Sequence, residues 1–296
     1  MEQTPHKSGF VSIVGKPNVG KSTLMNQLVE ENLSIITSKA QTTRHRIQGI
    51  ISGDDFQIVY SDTPGIIKPL YKLHESMMSF VSESLEDADV ILFVTDIFEK
   101  HDEGEVVERL ARMDVPIIVL INKIDLVKEQ EDVVQKIEYW NKILSPKEII
   151  PISALEKFNL ERIILSIKEL LPEHPAYYPK DQLTTLPERF FASEIIREKI
   201  LKTYKKEVPY SCDVIISVFK DEGKIIHICG DILVERDSQK GILIGKAGAA
   251  LKKIGTEARK DMEEFFKTKV FLELFVKVEP DWRKKENKLK QLGYIR

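Results

Sequence analysis

The sequence predicts two domains in series: a doubly wound, mostly parallel α/β domain and then a smaller α+β domain. Three observations predict this. Through about residue 172, short β-branched runs alternate with longer segments of helical period, the order of a sheet covered by helices on both faces. Residues 171–188 then hold four prolines in eighteen positions, which no helix can continue through. Beyond them the order changes to α-β-β-α-α-β. The boundaries drawn are 1–172 for the first domain, 173–187 for a proline-rich, semi-rigid linker and 188–296 for the second domain.

In the first domain, strands are expected over 10–14, 47–51, 56–60, 90–95, 117–121 and 149–152. Several are near-continuous apolar runs, as strands buried on both faces of a parallel sheet must be. Helices are expected over 22–29, 73–86, 103–113, 129–144 and 160–171. Pro187 can open the next helix, where Phe191, Ile195, Ile196, Ile200, Leu201 and Tyr204 fall at helical spacing. Strands over 214–219 and 225–234 follow, joined by Asp221, Glu222 and Gly223. A short helix running into residues 245–248, a longer one over 249–267 and a last strand over 270–278 complete the chain.

Composition narrows the class. No apolar run approaches the ~20 residues of a membrane span. The start, MEQTPHKSGF, lacks an apolar signal segment, so a cytoplasmic location is expected. The two cysteines, Cys212 and Cys229, fit no metal spacing and read as reduced core thiols. The net charge of −3 hides an asymmetry. Residues 1–183 carry 20 Lys+Arg against 29 Asp+Glu, a net of −9; residues 184–296 carry 24 against 18, a net of +6. A basic second half suits a polyanionic partner.

The stretch Gly15, Lys16, Pro17, Asn18, Val19, Gly20, Lys21, Ser22 and Thr23 matches the phosphate-loop pattern between a strand and a helix. Its glycines let backbone N–H groups turn toward phosphate oxygens, and the helix N-terminus adds partial positive charge. Lys21 can reach the β- and γ-phosphates, and the Ser22 hydroxyl can ligate Mg²⁺. Asp62, at a strand end in DTPG, suits the carboxylate that holds Mg²⁺, and Gly65 allows close backbone approach to a γ-phosphate. Asn122, Lys123 and Asp125, in NKID, supply base recognition. The Asp125 carboxylate can accept from two guanine donors that adenine lacks. The Lys123 stem can pack on the base, and Asn122 can tie this loop to the first. Ser153 and Ala154, in SAL, can offer a backbone N–H to guanine O6.

In this order GKPNVGKS, TTR, DTPG, NKID and SAL resemble the small translational GTPases over roughly residues 8–172. The resemblance implies GTP/GDP and Mg²⁺ as cofactors, with Lys21, Thr43 and Gly65 at the hydrolytic centre. Ile66 stands where Ras-like proteins carry the water-orienting glutamine, so slow basal hydrolysis is expected. Related GTPases with an asparagine at the place of Asn18 bind K⁺ beside the phosphates, which makes K⁺ an expected activator. The first switch segment is placed over 34–45; Thr43, or its neighbour Thr42, reaches Mg²⁺ when the γ-phosphate is present. His45 reads as a loop histidine, His74 and His101 as surface groups, and Met77 and Met78 as core.

A second glycine loop, GILIGKAGAALKKIG, fails as a phosphate loop. It is one residue short, Ala247 replaces the metal-ligating hydroxyl, and the preceding VERDSQK reads as a polar turn. Gly245, Lys246, Ala247 and Gly248 instead form G-x-x-G between two helices. In this element order it resembles a type-2 KH domain, whose loop packs on the backbone of four unpaired nucleotides. Ile242, Leu243 and Ile244 are expected to wall the RNA groove, with Lys252 and Lys253 adding charge. Trp282, in the basic tail, can stack on a base or anchor the tail, and the tail lysines can touch RNA or an anionic membrane.

A GTPase domain followed by a type-2 KH domain resembles the ribosome-assembly GTPases of the Era family over nearly the whole chain. The resemblance implies a monomer acting in small ribosomal subunit assembly. It implies single-stranded RNA near the 3′ end of small-subunit ribosomal RNA as partner, and partial peripheral contact with the inner membrane face. An RNA chaperone with a mainly structural nucleotide site, or a GTPase acting on another RNA, are the alternatives.

Overall fold

The computed structural model describes residues 5–99 and 104–295. The first half forms a six-stranded sheet in the order β2-β3-β1-β4-β5-β6. Its strands are β1 (Lys7–Val14), β2 (Ile47–Ser52), β3 (Phe56–Asp62), β4 (Val90–Asp96), β5 (Ile117–Asn122) and β6 (Glu148–Pro151). Only β2 runs antiparallel, at one edge. β4 and β5 are buried at every position, because helices cover both faces and leave no solvated side on which polar residues could alternate. The helices are α1 (Lys21–Val29), α2 (Lys72–Glu86), α3 (Glu105–Ala111), α4 (Gln130–Leu144) and α5 (Leu160–Leu170). The expected start of α3 at residue 103, and His101, lie outside the described residues.

The second half contains α6 (Glu188–Thr203), β7 (Asp213–Asp221), β8 (Ile225–Val234), α7 (Asp237–Ile244), α8 (Ala249–Phe266), β9 (Lys269–Val278) and α9 (Glu286–Gln291). The sheet order is β7-β8-β9, with β8 and β9 parallel. Its core joins Ile196 and Ile200 of α6, Ile228 and Ile232 of β8, and Ile254, Ala258 and Met262 of α8. The tail is anchored to this unit. Trp282 is fully buried and donates its indole N–H to the Ser211 carbonyl at 2.9 Å; Tyr294 donates to Asp213 Oδ2 at 2.6 Å. Of the two expectations for Trp282, the anchor is the one realised.

Two compact units divide the chain differently from the linear boundaries. The first comprises 1–34, 43–68 and 77–185; the second comprises 35–42, 69–76 and 186–296. Residues expected in a linker are bound into the first unit. Gln57 Oε1 accepts the Tyr177 and Tyr178 N–H groups, and Ile50 N–H donates to the Leu183 carbonyl at 2.8 Å. Within the second unit, Arg197 donates to the Thr42 carbonyl, and the Lys39 ammonium caps the end of α6 at the Leu201 and Tyr204 carbonyls.

Four expectations are corrected. His74 is buried, not at the surface: the Tyr71 ring packs against it, tilted by 31° with centroids 3.9 Å apart. Pro187 caps α6 rather than opening it, since its ψ of 154° is extended. Residues 237–240, expected in a polar turn, form the first turn of α7; Arg236 caps it, and Gln239 accepts the Glu235 and Arg236 N–H groups. Leu243 does not wall a groove: helical period turns it inward, fully buried in the second core.

Candidate nucleotide site and nucleic-acid interface

The phosphate loop leaves the end of β1 and returns into α1. Lys21 is 6% exposed and donates to the Gly15 carbonyl at 3.0 Å and the Lys16 carbonyl at 2.9 Å. Burial lowers its ammonium to about 8, against the opposing pull of Asp62 and Glu99. Pro17 and Asn18 form the tip, Asn18 exposed with φ 64, while Val19 is buried. Gly20 leads into α1 in the left-handed region, and Thr23 lies half-buried in the first helical turn.

Ser22, Thr43 and Asp62 meet at one point. Ser22 Oγ lies 2.7 Å from Asp62 Oδ2 and 2.8 Å from Thr43 Oγ1; Thr43 lies 3.4 Å from Asp62 Oδ2. Burial raises the Asp62 carboxyl above its ordinary range, opposed by Lys21 and by these hydroxyls. Its Oδ1 is buried without a hydrogen-bond donor. Three hard oxygen ligands and an orphaned carboxylate oxygen fit Mg²⁺. Thr42 is turned elsewhere, its hydroxyl donating to the Lys39 carbonyl at 2.6 Å, so Thr43 is the threonine the site collects.

Gly65 lies against the phosphate loop so closely that a Cβ there would sit 2.8 Å from Pro17 Cα. The next N–H, of Ile66, donates to the Gly15 carbonyl at 3.1 Å. The Ile66 side chain packs against the first unit's core, so it offers no polar group to water.

The base-recognition loop is laced to the phosphate loop. Asn122 Nδ2 donates to the Val19 carbonyl at 2.8 Å, and Lys123 Nζ to the Asn18 carbonyl at 2.7 Å. Ser153 donates its hydroxyl to Asp125 Oδ1 at 2.6 Å, and Ala154 N–H donates to Asn122 Oδ1 at 2.9 Å. Ser153 thus orients the Asp125 carboxylate, a contact that sequence reasoning did not supply. Two more carboxylates, Asp96 and Glu99, were also missed; they pair with Lys123 and Lys16. The position of Asp96 at the end of a strand next to β5 was the available signal.

In the second unit, Gly245, Lys246, Ala247 and Gly248 link α7 to α8. Ala247 takes φ 50 and Gly248 φ 77, so the turn is left-handed at both. An open groove of about 360 Å³ runs between α8 and β9. Gly248, Leu251, Lys252, Gly255, Leu272 and Leu274 line it, an apolar floor beneath a cationic rim. Thr256 and Arg259 also line it and were not singled out from sequence. Lys252 is therefore at the groove, whereas Lys253 faces Glu257 at 3.9 Å. Ile242 is 50% exposed, and Ile244 packs against the core; neither is among the groove-lining residues.

A phosphate loop laced to an NKID loop, followed by a G-x-x-G turn beside an open groove, defines a GTPase that carries a KH domain. Residues 10–123 match the family model described as 50S ribosome-binding GTPase, and residues 207–283 match the KH domain model. Among solved structures, the chain is 41% identical to Era in complex with MgGDPNP and nucleotides 1506–1542 of 16S ribosomal RNA. That match has a TM-score of 0.92 and covers 98% of this chain and 100% of the other. A variant of Aquifex aeolicus Era bound to GDP·AlF4⁻ matches with the same identity, coverage and TM-score. The chain belongs to the Era family of GTPases. It is a GTPase, hydrolysing GTP to GDP and phosphate.

Proposed function

We propose that this GTPase is a switch that binds single-stranded RNA near the 3′ end of small-subunit ribosomal RNA and acts in assembly of that subunit. One observation carries the reading: the chain aligns end to end with an Era that holds a GTP analogue and a 16S ribosomal RNA segment together. The α8–β9 groove supports it, since its apolar floor can take unstacked bases and Lys252 a phosphate. Gel-shift titration with an oligonucleotide of the 3′-terminal small-subunit sequence tests it. Tight binding of the single strand, and at least tenfold weaker binding of its duplex, is expected; equal affinity for both overturns the groove reading.

Lys21 and the N–H groups of the phosphate loop bind the β- and γ-phosphates, and Asp125, oriented by Ser153, selects guanine. Ser22, Thr43 and Asp62 would hold Mg²⁺, which supplies positive charge at the phosphate oxygens. Water must be positioned by backbone groups of the switch segments or by a partner, because Ile66 cannot do it. Asn18 supports a K⁺ site beside the phosphates, where a cation offsets transition-state charge. Turnover should then be several-fold faster in KCl than in NaCl at equal ionic strength, and equal rates would remove the site.

No helix among the described residues is long and apolar enough to cross a membrane. We place the protein in the cytoplasm as a monomer, with any contact at the inner membrane face made by surface groups. Two tail lysines, Lys285 and Lys288, are already paired with Glu279, which weakens the tail as an anionic-lipid anchor. Failure to co-sediment with anionic vesicles at physiological salt would sink the membrane contact.

A further inference from the structure

We propose that Asp96 is a positioning residue for nucleotide binding, acting through Lys123 to set how long a guanine nucleotide stays bound. Asp96 ends β4 and lies in register with Asn122, the last residue of β5. Its Oδ1 accepts the Phe98 N–H at 2.9 Å, which fixes the carboxylate in the turn that follows the strand. Its Oδ2 accepts the Lys123 ammonium at 2.7 Å. The same ammonium donates to the Asn18 carbonyl at 2.7 Å, in the phosphate loop. Lys123 therefore bridges β4 and the phosphate loop, beside the place assigned above to the base.

The physical argument rests on stiffness. Lys123 has φ 65, and its four-carbon side chain carries much rotamer freedom. One carbonyl acceptor alone would leave the ammonium free to swing. A carboxylate adds a charge-assisted bond, and shielding strengthens it: the Asp96 side chain is 12% exposed and that of Lys123 32%. The pattern recurs three residues on. Glu99 Oε1 lies 3.1 Å from Lys16 Nζ, while its Oε2 accepts the Thr95 hydroxyl at 2.7 Å. The end of β4 thus supplies a counter-charge to one lysine in each of the two nucleotide loops. Guanine is read by Asp125, which Asp96 does not touch in this network, so Asp96 governs residence and not base choice.

The inference rests on the assignment of Lys123 to the base, and it uses no RNA readout. The experiment follows release of fluorescent GDP and fluorescent IDP from the full-length protein with Mg²⁺, chased by excess unlabelled nucleotide. Asp96→Asn should speed release of both nucleotides about tenfold, with their ratio unchanged. Asp96→Glu, which keeps the charge, should restore much of the residence time. In a Lys123→Met background, Asp96→Asn should add nothing. Unaltered release from Asp96→Asn overturns the proposal. So does an additive effect on Lys123→Met, or a changed GDP-to-IDP ratio, which would mark collapse of the base-reading loop. Circular dichroism confirms that each variant is folded before release is read. Absence of guanine binding by the unmodified protein would be a failure of the nucleotide assignment and not of the Asp96 bridge.

Discussion

Lys21 shows how burial prepares a residue for its ligand. Its ammonium is held by two loop carbonyls and lowered to about 8 by desolvation. Between about pH 8 and the ordinary value near 10.5, the unfolded chain keeps a proton that the folded, nucleotide-free protein has released. The sign follows from linkage: this group costs stability most below pH 8, and the cost fades as pH rises through that window. A bound phosphate favours the charged form and pulls the proton back. GDP binding should therefore take up a proton, close to one at most, at pH 8.5 and much less at pH 7.5. Calorimetry in buffers of different ionisation heat reads this directly; equal heats at pH 8.5 would contradict it. Asp125 gives the matching prediction for base choice. Asp125→Asn should lower the preference for GDP over other purine nucleotides by at least tenfold, measured by competition.

The segment from α7 through α8 separates residues that a sequence pattern runs together. Ile242, Leu243 and Ile244 are equally apolar, yet Leu243 is fully buried and Ile242 half exposed. Leu243→Ala should cost about 2–5 kcal/mol of unfolding free energy, and Ile242→Ala about 0.5 kcal/mol or less, measured by urea titration. Gly248 has φ 77, and a Cβ added there would meet no atom within 4 Å, so space is free but backbone conformation is not. Gly248→Asp adds left-handed strain and a negative charge at the groove proposed to accept RNA phosphate. RNA affinity should fall at least tenfold, with GDP affinity unaltered. Loss of both would mean that the substitution disturbs more than the loop.

Across the molecule, the division into compact units runs through the first switch segment, between Thr42 and Thr43. Thr43 lies with Ser22 and Asp62; Thr42 lies with Arg197, whose side chain is fully buried and paired with Glu194 at 2.6 Å. A peptide bond joins Thr43 to a residue held in the second unit. In the proposed switch, a γ-phosphate that orders Thr43 acts on the segment that ends at Thr42. RNA affinity should differ by about fivefold or more between GTP analogue and GDP, and RNA should shift nucleotide affinity by the same factor. Identical RNA affinities in the two nucleotide states would remove the coupling.

The sequence by itself determined the sheet, the helices around it and the nucleotide motifs. Strand period, helix period and glycine placement are local signals, and the short, β-branched apolar runs of β4 and β5 fit strands covered on both faces. It also determined that the second glycine loop is no phosphate loop, since Ala247 has no hydroxyl. Only the tertiary structure decided where the neighbours in each pair lie. It set Thr43 beside Ser22 and Asp62 and Thr42 against Lys39, put Leu243 in the core and Lys252 at the groove, and made Trp282 an anchor. It brought Asp96 and Ser153 to residues 27 and 28 positions away in the chain. Such pairings depend on strand order and register, where β4 lies beside β5 and β5 beside β6. No local pattern carries that information, because the contact energy arises only when distant segments are packed together.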